Sequence, residues 1–141
     1  MTTLAPSHYL ARKLADLMCR GAAFSSDGNM WVTLCLQPVN PGMTGSNLTE
    51  PTWPGYVRLP LGPNDWTAFD DGTVKTKITL LFAYNGVQTT FRLTSLALTD
   101  APTGGNLLYF HNFPEPIEIP YSVPPSIPSG RLALRFASPV S

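Results

Sequence analysis

Few residues of this chain carry side chains suited to covalent or metal chemistry. His8 and His111 are the only histidines, and Cys19 and Cys35 the only cysteines. Neither pair has the His-x-x-x-His or Cys-x-x-Cys spacing that brings ligands onto one ion, so no metal is expected. No Gly-x-Ser-x-Gly places a serine on a sharp turn, and no glycine-rich phosphate loop closes on Gly-Lys-Ser or Gly-Lys-Thr. Carboxylates remain. Asp65, Asp70 and Asp71 are the nearest candidates for a glycosidase pair, whose members need be adjacent only in space. All three sit in turn-like surroundings, where aspartate is favoured because it bonds nearby backbone N–H groups. The turn explanation is the simpler one. No catalytic residue and no cofactor is assigned.

Trp31, Trp53 and Trp66 would stack a sugar if they lay together on the surface. Trp31 falls in a strand pattern, whereas Trp53 and Trp66 flank loops, and large aromatics serve cores and subunit contacts more often than sugars. Asn47-Leu48-Thr49 matches the glycosylation pattern; with no secretory signal ahead of it, it reads as chance.

The elements that position these residues come from 141 residues, enough for one domain over 1–141 with one core. The chain is 43% apolar and only 13% charged, about half the usual charged share. So lightly charged a surface implies that something else covers much of it. Nine basic and nine acidic residues cancel and no Lys/Arg run appears, so nucleic acid is not an expected partner. No apolar stretch approaches the roughly 20 residues that span a bilayer. The N-terminus lacks the basic-then-apolar order of a signal peptide, so synthesis in a cytosol is expected. In that compartment Cys19 and Cys35 read as small buried hydrophobes, not as a disulfide.

Helical periodicity appears once, over 7–21. Tyr9, Leu10, Leu14, Leu17 and Met18 share a face opposite Arg12, Lys13, Asp16 and Arg20. Pro6 or Ser7 opens this helix and Gly21 suits a left-handed cap. The helix packs on its own sheet, and a sharper reading adds a neighbouring subunit. Strand patterns follow at Met30–Gln37, at Gly55–Leu61 and, longest, at Thr73–Tyr84, while Asp65–Phe69 carries Trp66 and Phe69 ahead of the turn Asp70-Asp71-Gly72. Pro60 argues for an edge position in the second of these. Asn85-Gly86 is a hairpin dipeptide after which Val87–Leu93 returns. The strongest hairpin joins Leu93–Thr99 to Leu107–Phe113 through Asp100, Pro102, Gly104 and Gly105. Its first strand reads as half-buried and its second as buried on both faces. Arg131–Phe136 closes the sheet. Between these lie a loop over 38–54, longer than compact domains normally keep without function, and a Pro-rich extended arm over 114–128 around Ile117-Glu118-Ile119. One helix and about eight short strands predict a mainly β, single-domain β-sandwich or jelly-roll-like barrel with an N-terminal amphipathic helix.

The order of these features resembles a family of small structural proteins of tailed bacteriophages. The resemblance is carried by the helix Tyr9–Asp16 running to Arg20-Gly21, the strand Met30-Trp31-Val32-Thr33-Leu34, and Ser95-Leu96-Ala97-Leu98-Thr99-Asp100 with Thr103-Gly104-Gly105-Asn106-Leu107-Leu108-Tyr109-Phe110. Such proteins are often labelled tail-fibre proteins, and capsid cement (decoration) proteins look similar. The resemblance implies a non-enzymatic virion protein that is made in the host cytoplasm. In this reading it is a homodimer on the outer capsid surface that bridges major capsid protein subunits. Expected contact residues are Met43, Leu48 and Trp53 of the long loop, Pro116, Ile117, Ile119 and Tyr121 of the arm, and the tail after Phe136. The alternative is a tail or head fibre component that binds a host-surface glycan through Trp53 and Trp66.

Overall fold

The computed structural model describes residues 2–24, 28–69, 71–84, 86, 90–120 and 122–135. The elements are β1 (Thr2–Pro6), α1 (His8–Arg20), β2 (Met30–Cys35), β3 (Leu59–Leu61), β4 (Trp66–Ala68), β5 (Thr73–Thr76), β6 (Leu80–Leu81), β7 (Phe91–Thr99), β8 (Leu107–Ile119), β9 (Ser126–Ile127) and β10 (Leu132–Arg135). The fold is mainly β with one short helix in a single small domain, as the strand and turn pattern predicts. Eight strands make one curled sheet in the order β3-β2-β7-β8-β1-β10-β5-β4, and β6 pairs with β9 alone.

The curl depends on β1, which the sequence reading does not anticipate. Thr2, Thr3 and Leu4 pair in parallel with Leu132, Ala133 and Leu134, whereas Ala5 and Pro6 pair antiparallel with Phe110 and Tyr109. A strand that serves two ladders turns the sheet back on itself. Leu4, Leu132 and Leu134 from one half then meet Val32, Leu34, Leu96 and Leu98 from the other in one apolar cluster. Pro60 does sit on an edge strand, since β3 pairs only with β2; a residue without an N–H is tolerated there.

The β7–β8 hairpin forms as expected. Asp100 closes its turn by accepting the Asn106 backbone N–H (2.7 Å) and side-chain amide (2.9 Å), while Gly104 and Gly105 take φ of 60° and 75°. The burial expectation, by contrast, is reversed. Residues 95–99 of β7 are buried throughout, while β8 becomes increasingly exposed after Tyr109. The reason is the loop over 38–54, which lies on the outer face of β2 and β7. Cys35, Val39, Ala97 and Leu107 form a second small core there, with Met43, Leu48 and Phe110 against it. Ser95 and Ala97 are small because a loop covers them.

Two further expectations change. Thr73–Tyr84 is two strands, not one. The chain bends over 77–79, where Lys77 N–H bonds Asp65 O and Ser129 Oγ donates to Lys77 O. β6 pairs with β9, while Phe91–Leu93 pairs with Ile117–Ile119, so the two do not form the expected hairpin. Asn85 and residues 87–89 of that hairpin lie outside the described residues.

Helix α1 has the expected caps. Ser7 Oγ accepts from Leu10 N (3.2 Å), and Gly21 closes the other end at φ 66°. Ser7 is also fully buried, its hydroxyl donating to Leu107 O and its N–H to Leu108 O at 2.8 Å. It therefore fastens the helix to β8 as well as capping it. We expect Ser7→Ala to lose about 2–3 kcal/mol of unfolding free energy, as a lost cap plus an orphaned buried carbonyl; urea denaturation measures it. Only the first half of the helix docks. Leu10 is buried, but Leu17 and Met18 are 37% and 80% exposed.

The cysteines are unpaired and differ from each other. Cys35 is buried as expected, whereas Cys19 is exposed on the helix. Burial, reinforced by the Glu50 charge, pushes the Cys35 thiol up to about 12, and burial alone pushes the Tyr109 phenol up to about 12. Both groups hold their protons more tightly folded than unfolded. The stability they contribute is complete below about pH 9 and falls by about 1.4 kcal/mol per pH unit per group as pH rises towards 12. Urea midpoints at pH 8 and pH 11 check the sign. A thiol reagent at pH 8 is expected to titrate one cysteine in the folded chain and two in urea.

Candidate interaction surface

The long loop is held by one buried cation. Arg58 is 5% exposed and spends every donor of its guanidinium. Nε and Nη2 grip Glu50 Oε1 (3.0 Å) and Oε2 (2.9 Å) in a two-pronged pair. Nη2 also donates to Gly45 O (2.9 Å), and Nη1 to Thr99 Oγ1 (3.0 Å), Ala101 O (2.9 Å) and Gly104 O (2.9 Å). A planar fork with five N–H groups suits this task, and a lysine could not reproduce it. Tyr56 adds to the cluster, its hydroxyl donating to Glu50 Oε1 (3.0 Å) and accepting from Leu34 N (3.1 Å). Burial together with the Glu50 charge raises its phenol far above the usual range. Asn112 ties the start of the loop, exchanging two 2.8 Å bonds with the Val39 backbone. The loop thus belongs to the rigid body. In the sequence Arg58 stands only as a lone charge among the alternating residues of Gly55–Leu61.

These polar groups look reactive in number but are occupied with one another. Asp65 accepts from Gly62 N (2.7 Å) and Asp71 from Thr73 N (3.0 Å), the turn roles expected of them; Asp70 lies outside the described residues. Among the described residues no three His, Cys, Asp or Glu side chains gather as a metal site, and no helix is long and apolar enough to cross a membrane.

The expected contact residues separate by burial. Trp53 is 2% exposed, packed edge-on against Tyr56 and Phe91, with its indole N–H on Ala83 O at 3.0 Å. It is a core residue and cannot stack a sugar beside Trp66, which is itself half-buried. Ile119 is also interior, at 8% exposed, and Met43 and Leu48 pack half-buried beneath the loop. Tyr121 and the tail after Phe136 lie outside the described residues.

Pro116 and Ile117 do face outward, for a reason visible in the register. Leu93 pairs with Ile117 and Ser95 with Asn112, so Thr94 alone stands opposite Phe113, Pro114, Glu115 and Pro116. Two prolines cannot donate to the ladder, and the strand buckles out as a wide bulge. Pro114, Glu115 and Pro116 are exposed, and Ile117 is 46% exposed. Beside the bulge lies a cleft of about 240 Å³ lined by Leu93, Phe113, Ile117, Pro125, Ile127 and Arg131.

Residues 5–135 match the family model described as podophage GP4 fiber I protein gp80. The chain belongs to that family. It is accordingly a bacteriophage structural protein of a fiber family, in line with the resemblance carried by the hairpin and the helix. Comparison with curated proteins gives no match. Membership in the fiber I family covers nearly the whole domain, the bulge and the Arg58 cluster included.

Proposed function

We propose that this chain is a non-enzymatic assembly module of a phage fibre, a rigid β domain that docks through the β8 bulge. Its match to the fiber I family over 5–135 carries this reading. The chemistry around it agrees, because the conspicuous polar cluster, Arg58 with Glu50, serves to lock a loop. A protruding tip stiffened by Pro114 and Pro116 loses little freedom on docking, and Ile117 offers apolar area beside it. Ile117→Asp, at an exposed position, should leave the fold intact and lower incorporation into particles; unchanged incorporation would remove the bulge from the interface.

A second reading, capsid cement, is favoured by the exposed apolar side chains Val57, Leu81 and Tyr84, each at least 60% exposed. They would suit a broad contact with the major capsid protein by paired copies on the outer shell. Copy number in purified virions separates the two readings. A 15.3 kDa band at a few copies per particle supports the fibre, one near equimolar with the capsid protein supports cement, and absence from particles sinks both.

A further inference from the structure

A groove of about 480 Å³ runs between the first turns of α1 and the long loop. Arg12 and Lys13 form one wall, Gly42 to Thr44 the other, and Asn106 and Leu107 the end. Both cations are exposed, and Lys13 rests 5.8 Å above the Tyr9 ring. Among the described residues neither has an acidic partner, since Asp16 is paired with Arg20 and Asp100 is bonded to Asn106. The loop wall does not yield, because His8 N–H bonds Pro41 O at 2.8 Å and the Arg58 cluster fixes Gly45.

The β8 bulge is the converse of this groove. It protrudes and carries the exposed carboxylate Glu115, while Glu118, also exposed, stands just beyond it in the ladder opposite Arg92; neither carboxylate forms an ion pair among the described residues. The groove lies at the Leu107 end of β8. At about 3.3 Å per residue, Glu115, eight residues beyond Leu107, is at most about 26 Å further along the same strand. The knob and the socket of one copy are therefore too far apart to meet, so any mating of the two has to be between copies.

We propose that the Pro114-Glu115-Pro116 tip of one copy seats in the α1 groove of the next, with Glu115 and Glu118 facing Arg12 and Lys13. Such a head-to-tail contact is heterologous, and repetition propagates it into a ring or a filament. This deepens the fibre reading, since it names a second copy as the partner of the bulge. It is tested on the isolated chain, so it fails separately from the copy-number result.

The test uses charge exchange followed by sedimentation velocity. The unmodified chain should associate below about 1 mM, and about 1 M salt, which cuts the Debye length to about 3 Å, should weaken it. The double variants Arg12→Glu/Lys13→Glu and Glu115→Lys/Glu118→Lys should each associate at least about tenfold more weakly, because like charges then face each other. Mixed in equal amounts they present complementary surfaces at both ends of the contact, and association should return. Arg20→Glu, outside the groove, should change nothing. A chain that stays monomeric, double variants that associate undiminished, or a mixture that fails to recover would each overturn the proposal. All variants are at exposed positions, and an unchanged thermal midpoint confirms their fold.

Discussion

Arg58→Met is expected to lower the stability of this domain by about 3–5 kcal/mol, the range seen when one partner of a buried ion pair is removed. Methionine keeps the stem of the side chain, so the loss isolates the guanidinium. Glu50 retains only the Tyr56 hydroxyl among its described partners, and the carbonyls of Gly45, Ala101 and Gly104 lose the Arg58 donors. For a domain with about 5–15 kcal/mol in total, that is a large fraction and corresponds to about 10 °C or more in Tm. Arg58→Lys should restore less than half of it, since one ammonium has three donors and no fork. Arg58→Met/Glu50→Gln should be milder than the sum of the singles, because the charge left unpaired by the first change is removed by the second. Additive losses would show that the pair is incidental. Hydrogen exchange offers a second readout: the amides of Leu36 and Gly45, bonded to Thr49 O and Gly105 O, should lose protection before the β7–β8 ladder does.

Gly45→Ala should have the next largest effect, about 2–4 kcal/mol from overpacking plus broken hydrogen bonds. A Cβ at this position would lie 2.0 Å from Gly104 O, 2.8 Å from Gly104 C and 2.9 Å from Gly105 O. All three are backbone atoms of the hairpin turn and have no rotamer by which to move aside. The loop must lift, and with it go the Gly45 N–H bond to Gly105 O and the Arg58 bond to Gly45 O. Gly21→Ala is the control. It holds φ at 66° with nothing within 4 Å, so it should lose only the left-handed preference, about 1–2 kcal/mol. In the Arg58→Met background Gly45→Ala should add little, because the contact it breaks is already loosened. Thermal denaturation of the four chains decides this.

The readings that succeeded rest on local rules. Ser7 and Gly21 delimit a helix because capping acts within one turn. Asp100, Gly104 and Gly105 make a hairpin because turn chemistry is decided within a few residues. Pro60 marks an edge because it lacks an N–H. Trp53 and Ile119 read as surface residues in the sequence because loop-like and proline-rich neighbours conceal what packs over them. The resemblance to phage structural proteins was legible at that coarser level, and the hairpin and helix on which it rests lie within the matched residues 5–135.

What the amino-acid order determined by itself was therefore a mainly β domain, its helix, its central hairpin, and a side-chain inventory lacking any metal-ligand or nucleophile motif. What only the tertiary structure decided was how distant segments meet. Thr2–Leu4 pairs with Leu132–Leu134 across almost the whole chain, Arg58 collects partners from 8 to 46 residues away, and the loop over 38–54 becomes a wall of the groove. Periodicity and turn propensity act over a few residues. Burial of a cation, or of a strand too short to show a pattern, depends on what the rest of the chain brings to it, and that appears only once the sheet has curled.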